Sequence, residues 1–321
     1  MQPRLNYMDK ALDLIKKLGQ SDDYFERQKA AWALVELGEP AIDIVAEALE
    51  KGEFSDLRYK SAWILGKIGN KRAVQPLSRA LLNDSDHVVR EWCAAALEAL
   101  GSREAVGPLV LAVKRDSSKD VRLRAALALR NLGASDALRG LLSSSEPETR
   151  GMAITGLGKI KCQAALNEVA QCLEDEDPEV RRRSTAFMGE FDCQESFVFL
   201  ERALRDKEPQ VREEALKSLG RMKGEMACDI AQKSLTDEDY RVRLTAVTSL
   251  GEMGRSEAID PLVDVMFGGD EEEIRAWAAW SLGEIGDPRA IEPLMKAYKT
   301  CPMEVMKKAK DSLVEIFKVE P

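Results

Sequence analysis

Apolar residues recur along this chain at helical spacing, and the helices they define recur with a longer period of their own. In LRYKSAWILGKIG from Leu57, VREEALKSLGRM from Val211, VRLTAVTSLGEMG from Val242 and IRAWAAWSLGEIG from Ile274, an arginine follows an apolar residue. A small residue stands three positions after that arginine, and apolar residues stand seven and ten after it. Offsets −1, +3, +7 and +10 trace one face of a helix of period 3.6. The marker arginines are Arg27, Arg58, Arg90, Arg122, Arg150, Arg181, Arg212, Arg243 and Arg275, with Met306 in the tenth place, at intervals of 31, 32, 32, 28, 31, 31, 31, 32 and 31. Ten units fill the chain.

Each unit also carries an earlier apolar stretch with proline near its start, as in AVQPLSRALL from Ala73, AVGPLVLAV from Ala105, AIDPLVDVM from Ala258 and AIEPLMKAY from Ala290. Proline in a first turn loses no helical hydrogen bond, so these stretches predict a helix ahead of the arginine helix. Acidic links join the two helices, with Asp177 placed to cap and Pro178 to open the next one. Gly38, Gly69, Gly101, Gly133, Gly254 and Gly286 follow the arginine helices, where a left-handed residue ends a helix cheaply. The unit is a helical hairpin of about 31 residues. The small residues at +3, from Ala30, Ser61 and Cys93 through Ala278 and Ala309, admit a close neighbouring helix.

These residues resemble HEAT repeats, specifically the short variety named after phycobilisome lyases, over nearly the whole chain. The resemblance implies an all-α, right-handed α-α superhelix of about ten HEAT-like hairpins, one solenoid over residues 1–321. In that family an Asp at the link and the Arg six residues later form a ladder between repeats. The matching pairs here are Asp84/Arg90, Asp116/Arg122, Asp175/Arg181, Asp206/Arg212 and Asp237/Arg243, while Ser21, Gly52, Ser144, Gly269 and Thr300 depart from it. The short fourth interval, where SDALRGLLSSSEP from Ser135 loses about one turn, predicts a local change of twist at 134–148.

Composition narrows the function classes. With 47 Lys+Arg against 56 Asp+Glu, the net charge of −9 offers no global basic field to nucleic acid or anionic lipid. The six cysteines lie apart, with no C-x-x-C, and read as free thiols, Cys93 and Cys172 as small buried fillers. No apolar run approaches the roughly 20 residues that span a bilayer, and the first residues lack a secretory leader's pattern, so the expected location is cytoplasmic. His87 is the only histidine, set in the link DSDHVVR and expected to be an exposed loop residue. Deoxyhypusine hydroxylases, which resemble these repeats, bind two irons through several His-Glu pairs, and those pairs are absent here. Neither a metal nor another cofactor is expected.

The side of the arginine helix opposite its core face carries offsets −2, +2, +5 and +9, and the resemblance implies that it lines the concave surface. These positions hold all five tryptophans, Trp32, Trp63, Trp92, Trp277 and Trp280, with Phe25 beside them. Trp32 and Trp63 share offset +5 in consecutive units, Tyr59 and Trp92 adjoin them, and Trp277 with Trp280 forms a second patch. Exposed aromatics in a patch mark an interaction surface. Charge on the same positions runs from mildly basic to acidic. Arg124 and Arg183 lie in the balanced middle, and units 8 to 10 carry Arg241 and Lys308 against Glu252, Glu273, Glu284, Glu304, Asp311 and Glu315. That gradient disfavours a nucleic-acid channel, which needs a continuous basic track.

The expectation is therefore a non-enzymatic scaffold or adaptor holding a protein partner in the concave groove. Phe25, Trp32, Tyr59, Trp63, Trp92, Arg124, Arg183, Trp277 and Trp280 would contact that partner. The alternative is a chaperone or lyase-like factor acting on a tetrapyrrole-bearing protein, since indole rings stack on flat chromophores.

Overall fold

The computed structural model describes residues 2–318, and its packing divides into two compact units, 1–162 and 163–321. The first holds α1 (Gln2–Gln20), α2 (Tyr24–Leu37), α3 (Ile42–Lys51), α4 (Ser55–Ile68), α5 (Val74–Asn83), α6 (His87–Leu100), α7 (Val106–Arg115), α8 (Lys119–Asn131), α9 (Ser135–Arg139) and α10 (Pro147–Lys159). The second holds α11 (Leu166–Gln171), α12 (Pro178–Met188), α13 (Gln194–Ala203), α14 (Pro209–Met222), α15 (Glu225–Gln232), α16 (Tyr240–Met253), α17 (Ile259–Phe267), α18 (Glu272–Ile285), α19 (Ile291–Thr300) and α20 (Met303–Lys318). Among the described residues there is no strand, and the even-numbered helices are those that carry the marker positions, arginine in α2 to α18 and Met306 in α20.

The predicted core face is the observed one. Every small residue at offset +3 is buried, from Ala30 at 2% exposure to Ser61, Cys93, Ser184 and Ala309 at 0%. Leu34, Leu65, Leu97, Leu129, Leu157, Met188, Leu219, Leu250 and Leu282 at offset +7 are all at 0%. Burying each such leucine contributes about 1.5–3 kcal/mol. Within a unit, successive even-numbered helices pack on one another, as α4 does on α6 and α18 on α20.

The caps follow the sequence closely. Asp177 accepts from the backbone N–H of Glu179 and Val180, and Pro178 opens α12. All six predicted glycines have positive φ, the region L side chains avoid. Lys161 and Lys223 adopt positive φ as well, an outcome no glycine announced. His87 is exposed as expected, yet it is the first residue of α6 rather than part of the loop, because Asp86 supplies the cap. The short interval appears as α9, five residues where α3, α5 and α7 have ten.

The arginine ladder has two halves that the sequence pairing merged. One Nη of Arg27, Arg58, Arg90, Arg122, Arg150, Arg181, Arg212 and Arg243 donates to the backbone carbonyl six residues earlier, at 2.7–3.1 Å. Ser21, Gly52 and Ser144 serve here as well as aspartate, since only the carbonyl is used. The other half runs to the next repeat: Arg58, Arg90, Arg181 and Arg212 clasp both oxygens of Asp84, Asp116, Asp206 and Asp237 at 2.7–3.0 Å. Such paired contacts are the strong form of a charged hydrogen bond. Where the matching link position is not aspartate, Arg122 takes Glu148 beyond Ser144, and Arg243 takes Asp270, one place after Gly269, with Glu271. Arg275 reaches the Met266 carbonyl and the Cys301 sulfur instead.

Candidate functional site

Two aromatic groups stand on the even-numbered helices, one in each compact unit. In the first, offset +5 of α2 and of α4 places Trp32 against Trp63, edge to face, with centroids 5.2 Å apart. Offset +1 of α4 and offset +2 of α6 stack Tyr59 on Trp92 at 6.2 Å and 24°. Tyr24 and Phe25 meet edge to face at the start of α2, and Phe25 is the most open of these rings at 71% exposure. The Trp32/Trp63 and Tyr59/Trp92 pairs lie in arrangements that the ring quadrupole favours, and Trp32 and Trp92 keep part of their apolar surface open.

A polar network beneath the rings fixes Tyr59. Its hydroxyl donates to one oxygen of Asp56 at 2.7 Å, and Lys60 donates to the other at 2.6 Å. Burial, reinforced by the Asp56 carboxylate, pushes the Tyr59 hydroxyl up to about 12. At Asp56 burial acts to raise the carboxyl, but the hydrogen bonds from Lys60 and Tyr59 outweigh it and hold the group below its ordinary value. The tyrosine therefore stays protonated and oriented at neutral pH.

Several sequence expectations need correction at this face. Only Trp32, at 52%, and Trp92, at 38%, are exposed among the tryptophans; Trp63, Trp277 and Trp280 are half-buried. The second rings cover them, and Lys67 lies over Trp63 with its Nζ 5.9 Å from the centroid. Lys60, which stands at offset +2 of α4 and so on the side expected to be open, is buried at 8% because it folds onto Asp56 and the Tyr59 ring. Arg124 and Arg183 are engaged in ion pairs, with Glu98 at 3.0 Å and Glu179 at 2.8 Å, so neither projects as an unpaired cation. Cys93 is fully buried and burial pushes its thiol up, which makes it a filler rather than a nucleophile.

In the second unit Trp277 and Trp280 sit one turn apart on α18, edge to face at 5.3 Å. The Lys308 ammonium of α20 lies 4.9 Å from the Trp277 centroid. Trp280 borders a cavity of about 250 Å³ together with Gly283, Glu284, Lys308, Asp311 and Glu315. The sequence tally of charge contained these acids, but only the packing of α20 on α18 gathers them around one indole.

The HEAT repeats family matches in overlapping stretches that run from residue 11 to 313. The chain belongs to the HEAT-repeat family. Among curated relatives, a deoxyhypusine hydroxylase of Gibberella zeae is 38% identical over 89 residues, 27% of this chain and 26% of that protein. The chain thus matches about a quarter of that relative's length. Among solved structures, a Kap121p mutant aligns over 98% of this chain and 42% of its own with TM-score 0.64 at 12% identity. A Kap95:Nup1 complex aligns over 96% and 49% with TM-score 0.61 at 15% identity. These solenoids share the fold.

The relation to a hydroxylase overturns the expectation of a non-enzymatic scaffold, since a related segment forms part of a named enzyme. It gives the tetrapyrrole alternative no support. The iron that such hydroxylases use finds no matching donors here: among the described residues no cluster of three or more His, Cys, Asp or Glu could hold a metal ion. His87, the single histidine, is exposed, with the Asp86 carboxylate 3.8 Å from its Nδ1. Among the described residues no helix is long and apolar enough to cross a membrane.

Proposed function

We propose that the aromatic face of the first unit recognises an apolar segment of a protein partner along a concave groove, and that its repeats are of the short phycobilisome-lyase type. Phe25, Trp32, Tyr59, Trp63 and Trp92 are the contact residues, with Arg124 of the same unit adding a polar contact through its ion pair with Glu98; Arg183, on the second unit, is held by Glu179 and is left out of this face. The observation that carries the reading is the exposure of Trp32 and Trp92 on rings already locked by Trp63 and Tyr59. A preordered indole loses little conformational freedom on binding, which is why Trp and Tyr dominate hot spots. The Kap95:Nup1 complex is a HEAT array of similar fold holding another protein. The relation to an enzyme removes any claim that holding a partner is all this chain does.

The test is affinity capture from the source cell with the full chain and with a Trp32/Trp63/Trp92→Ala triple variant, followed by titration of the recovered protein. Expected is a partner whose affinity falls at least about thirtyfold in the triple variant, as the loss of a hot spot implies. Equal affinity for both chains rejects the reading.

A further inference from the structure

The second unit carries a different recognition element. Trp280 presents its half-buried indole to a cavity of about 250 Å³ between α18 and α20. Gly283, one turn further along α18, has no side chain and packs on Ser312, whose hydroxyl donates to the Ala279 carbonyl at 3.0 Å. The close approach of the two helices brings Asp311 and Glu315 of α20 to the same opening as Glu284 of α18. The charged groups lining it are three carboxylates and one ammonium, that of Lys308. Lys308 is also drawn to the other ring of the pair, its Nζ lying 4.9 Å from the Trp277 centroid.

That contact shows the chemistry of the patch directly, because the protein's own ammonium already sits on one of two adjacent indoles. An indole wall with carboxylates around it attracts an organic cation through the ring quadrupole and through charge. It repels an anion, and among the described residues these acids form no cluster that could hold a metal ion. The volume lies below the roughly 300–1,000 Å³ of sites that enclose a whole small molecule. It suits one long side chain, which lays its aliphatic stem on the ring and its charge among the acids. Glu273 and Glu304 extend the acidic character along the same two helices, and Glu252 adds to it on the preceding α16, so a segment with several cations gains more than a single amine.

We propose that the Trp280 cavity takes a lysine or arginine side chain from a basic segment of another protein. The element lies wholly within the second unit and stands independently of the apolar face on the first. Lys308 sets its selectivity: by occupying Trp277 it leaves room for one guest cation beside Trp280.

The test uses the full chain labelled with ¹⁵N and follows the five indole N–H signals, assigned from single Trp→Ala variants. The probes are a short peptide alternating lysine with glycine and the same peptide with every lysine acetylated. The lysine peptide is expected to move the Trp280 signal saturably and more weakly as salt rises, with the acetylated peptide inert. A Glu284→Gln/Asp311→Asn variant, altered only at exposed positions, is expected to bind about tenfold more weakly while its remaining spectrum stays unchanged. The proposal is overturned if the acetylated peptide binds equally well, if the double variant binds as tightly as the natural chain, or if only Trp32 and Trp63 respond. Loss of partner capture by the Trp32/Trp63/Trp92→Ala chain would leave this result untouched, so the two readings fail separately.

Discussion

Helices α4 and α18 carry nearly the same phrase, SAWILGKIG against AAWSLGEIG, yet they present different surfaces. Trp63 and Trp280 occupy the same repeat offset. Around Trp63 the neighbours are rings: Trp32 comes across from the preceding repeat, and Tyr59 continues the surface onto Trp92. Around Trp280 one neighbour is a ring on its own helix and another is Glu284 of that helix, while the following repeat supplies two further carboxylates and one lysine. The difference teaches that in a repeat protein the slot fixes where a side chain points, while the adjoining copy decides what chemistry it meets.

Both surfaces depend on the ladder that holds the hairpins, and its removal is the largest effect expected. Arg181 is 5% exposed and clasps Asp206 on two atoms, whereas Arg27 faces Gly52 in the next link and relies on the Ser21 carbonyl. Arg181→Ala leaves a buried carboxylate unpaired and is expected to cost about 3–5 kcal/mol in urea unfolding. Arg27→Ala is expected to cost well under half of that. Equal losses would show that the carboxylate half of the ladder contributes nothing.

Next in size is the contrast in binding. Trp32→Ala with Trp92→Ala is expected to remove at least about 2 kcal/mol of affinity for the partner captured by the first unit, read by calorimetry. Trp277→Ala with Trp280→Ala is expected to leave that affinity unchanged. A smaller effect tests the helix approach that builds the acidic cavity. A Cβ at Gly283 would lie 2.9 Å from the Ser312 Cα, so Gly283→Ala must push α20 away from α18. About 1–3 kcal/mol of thermal stability is the expected loss, together with a changed Trp280 signal.

The smallest effect concerns charge at the surface. The Arg182 hydrogen bond, helped by Arg183, outweighs burial and holds the Glu179 carboxyl at about 2. Because the folded value lies below the unfolded one, its contribution is present above the unfolded carboxylate range and is lost as pH falls toward 2. The side chain is 47% exposed, so solvent screening limits the gain to under about 1 kcal/mol. Glu179→Gln is expected to lower stability by that amount at pH 7 and to leave it unchanged near pH 2. A larger acid-dependent difference would place the arginine cluster among the structural pairs.

The repeat phrase by itself determined the architecture. Offsets +3 and +7 mark residues that are buried without exception through Leu282, because a hairpin of this size can hide its apolar stripe only against its neighbours. Glycines and Asp177 marked the helix ends for the same local reason, the cost of a left-handed residue with a Cβ and of an uncapped N–H. The placing of Trp32 beside Trp63 and Tyr59 beside Trp92 followed from counting alone.

Tertiary structure decided the rest. Offset could not say that Trp63 and Trp280 are half-covered while Trp32 is open, since coverage depends on which side chains pack on each ring, from an adjacent helix at Trp63 and from both its own and an adjacent helix at Trp280. Lys60 shares its offset with exposed Lys29, and only the Asp56 carboxylate and the Tyr59 ring fold it inward. Asp84 sits six residues before Arg90 in sequence, yet its carboxylate belongs to Arg58, twenty-six residues back. The acids at Trp280 come from two helices whose separation a glycine and a serine set. Periodicity specifies direction from a helix axis; distance between helices, and therefore charge pairing and exposure, is settled only when the hairpins pack.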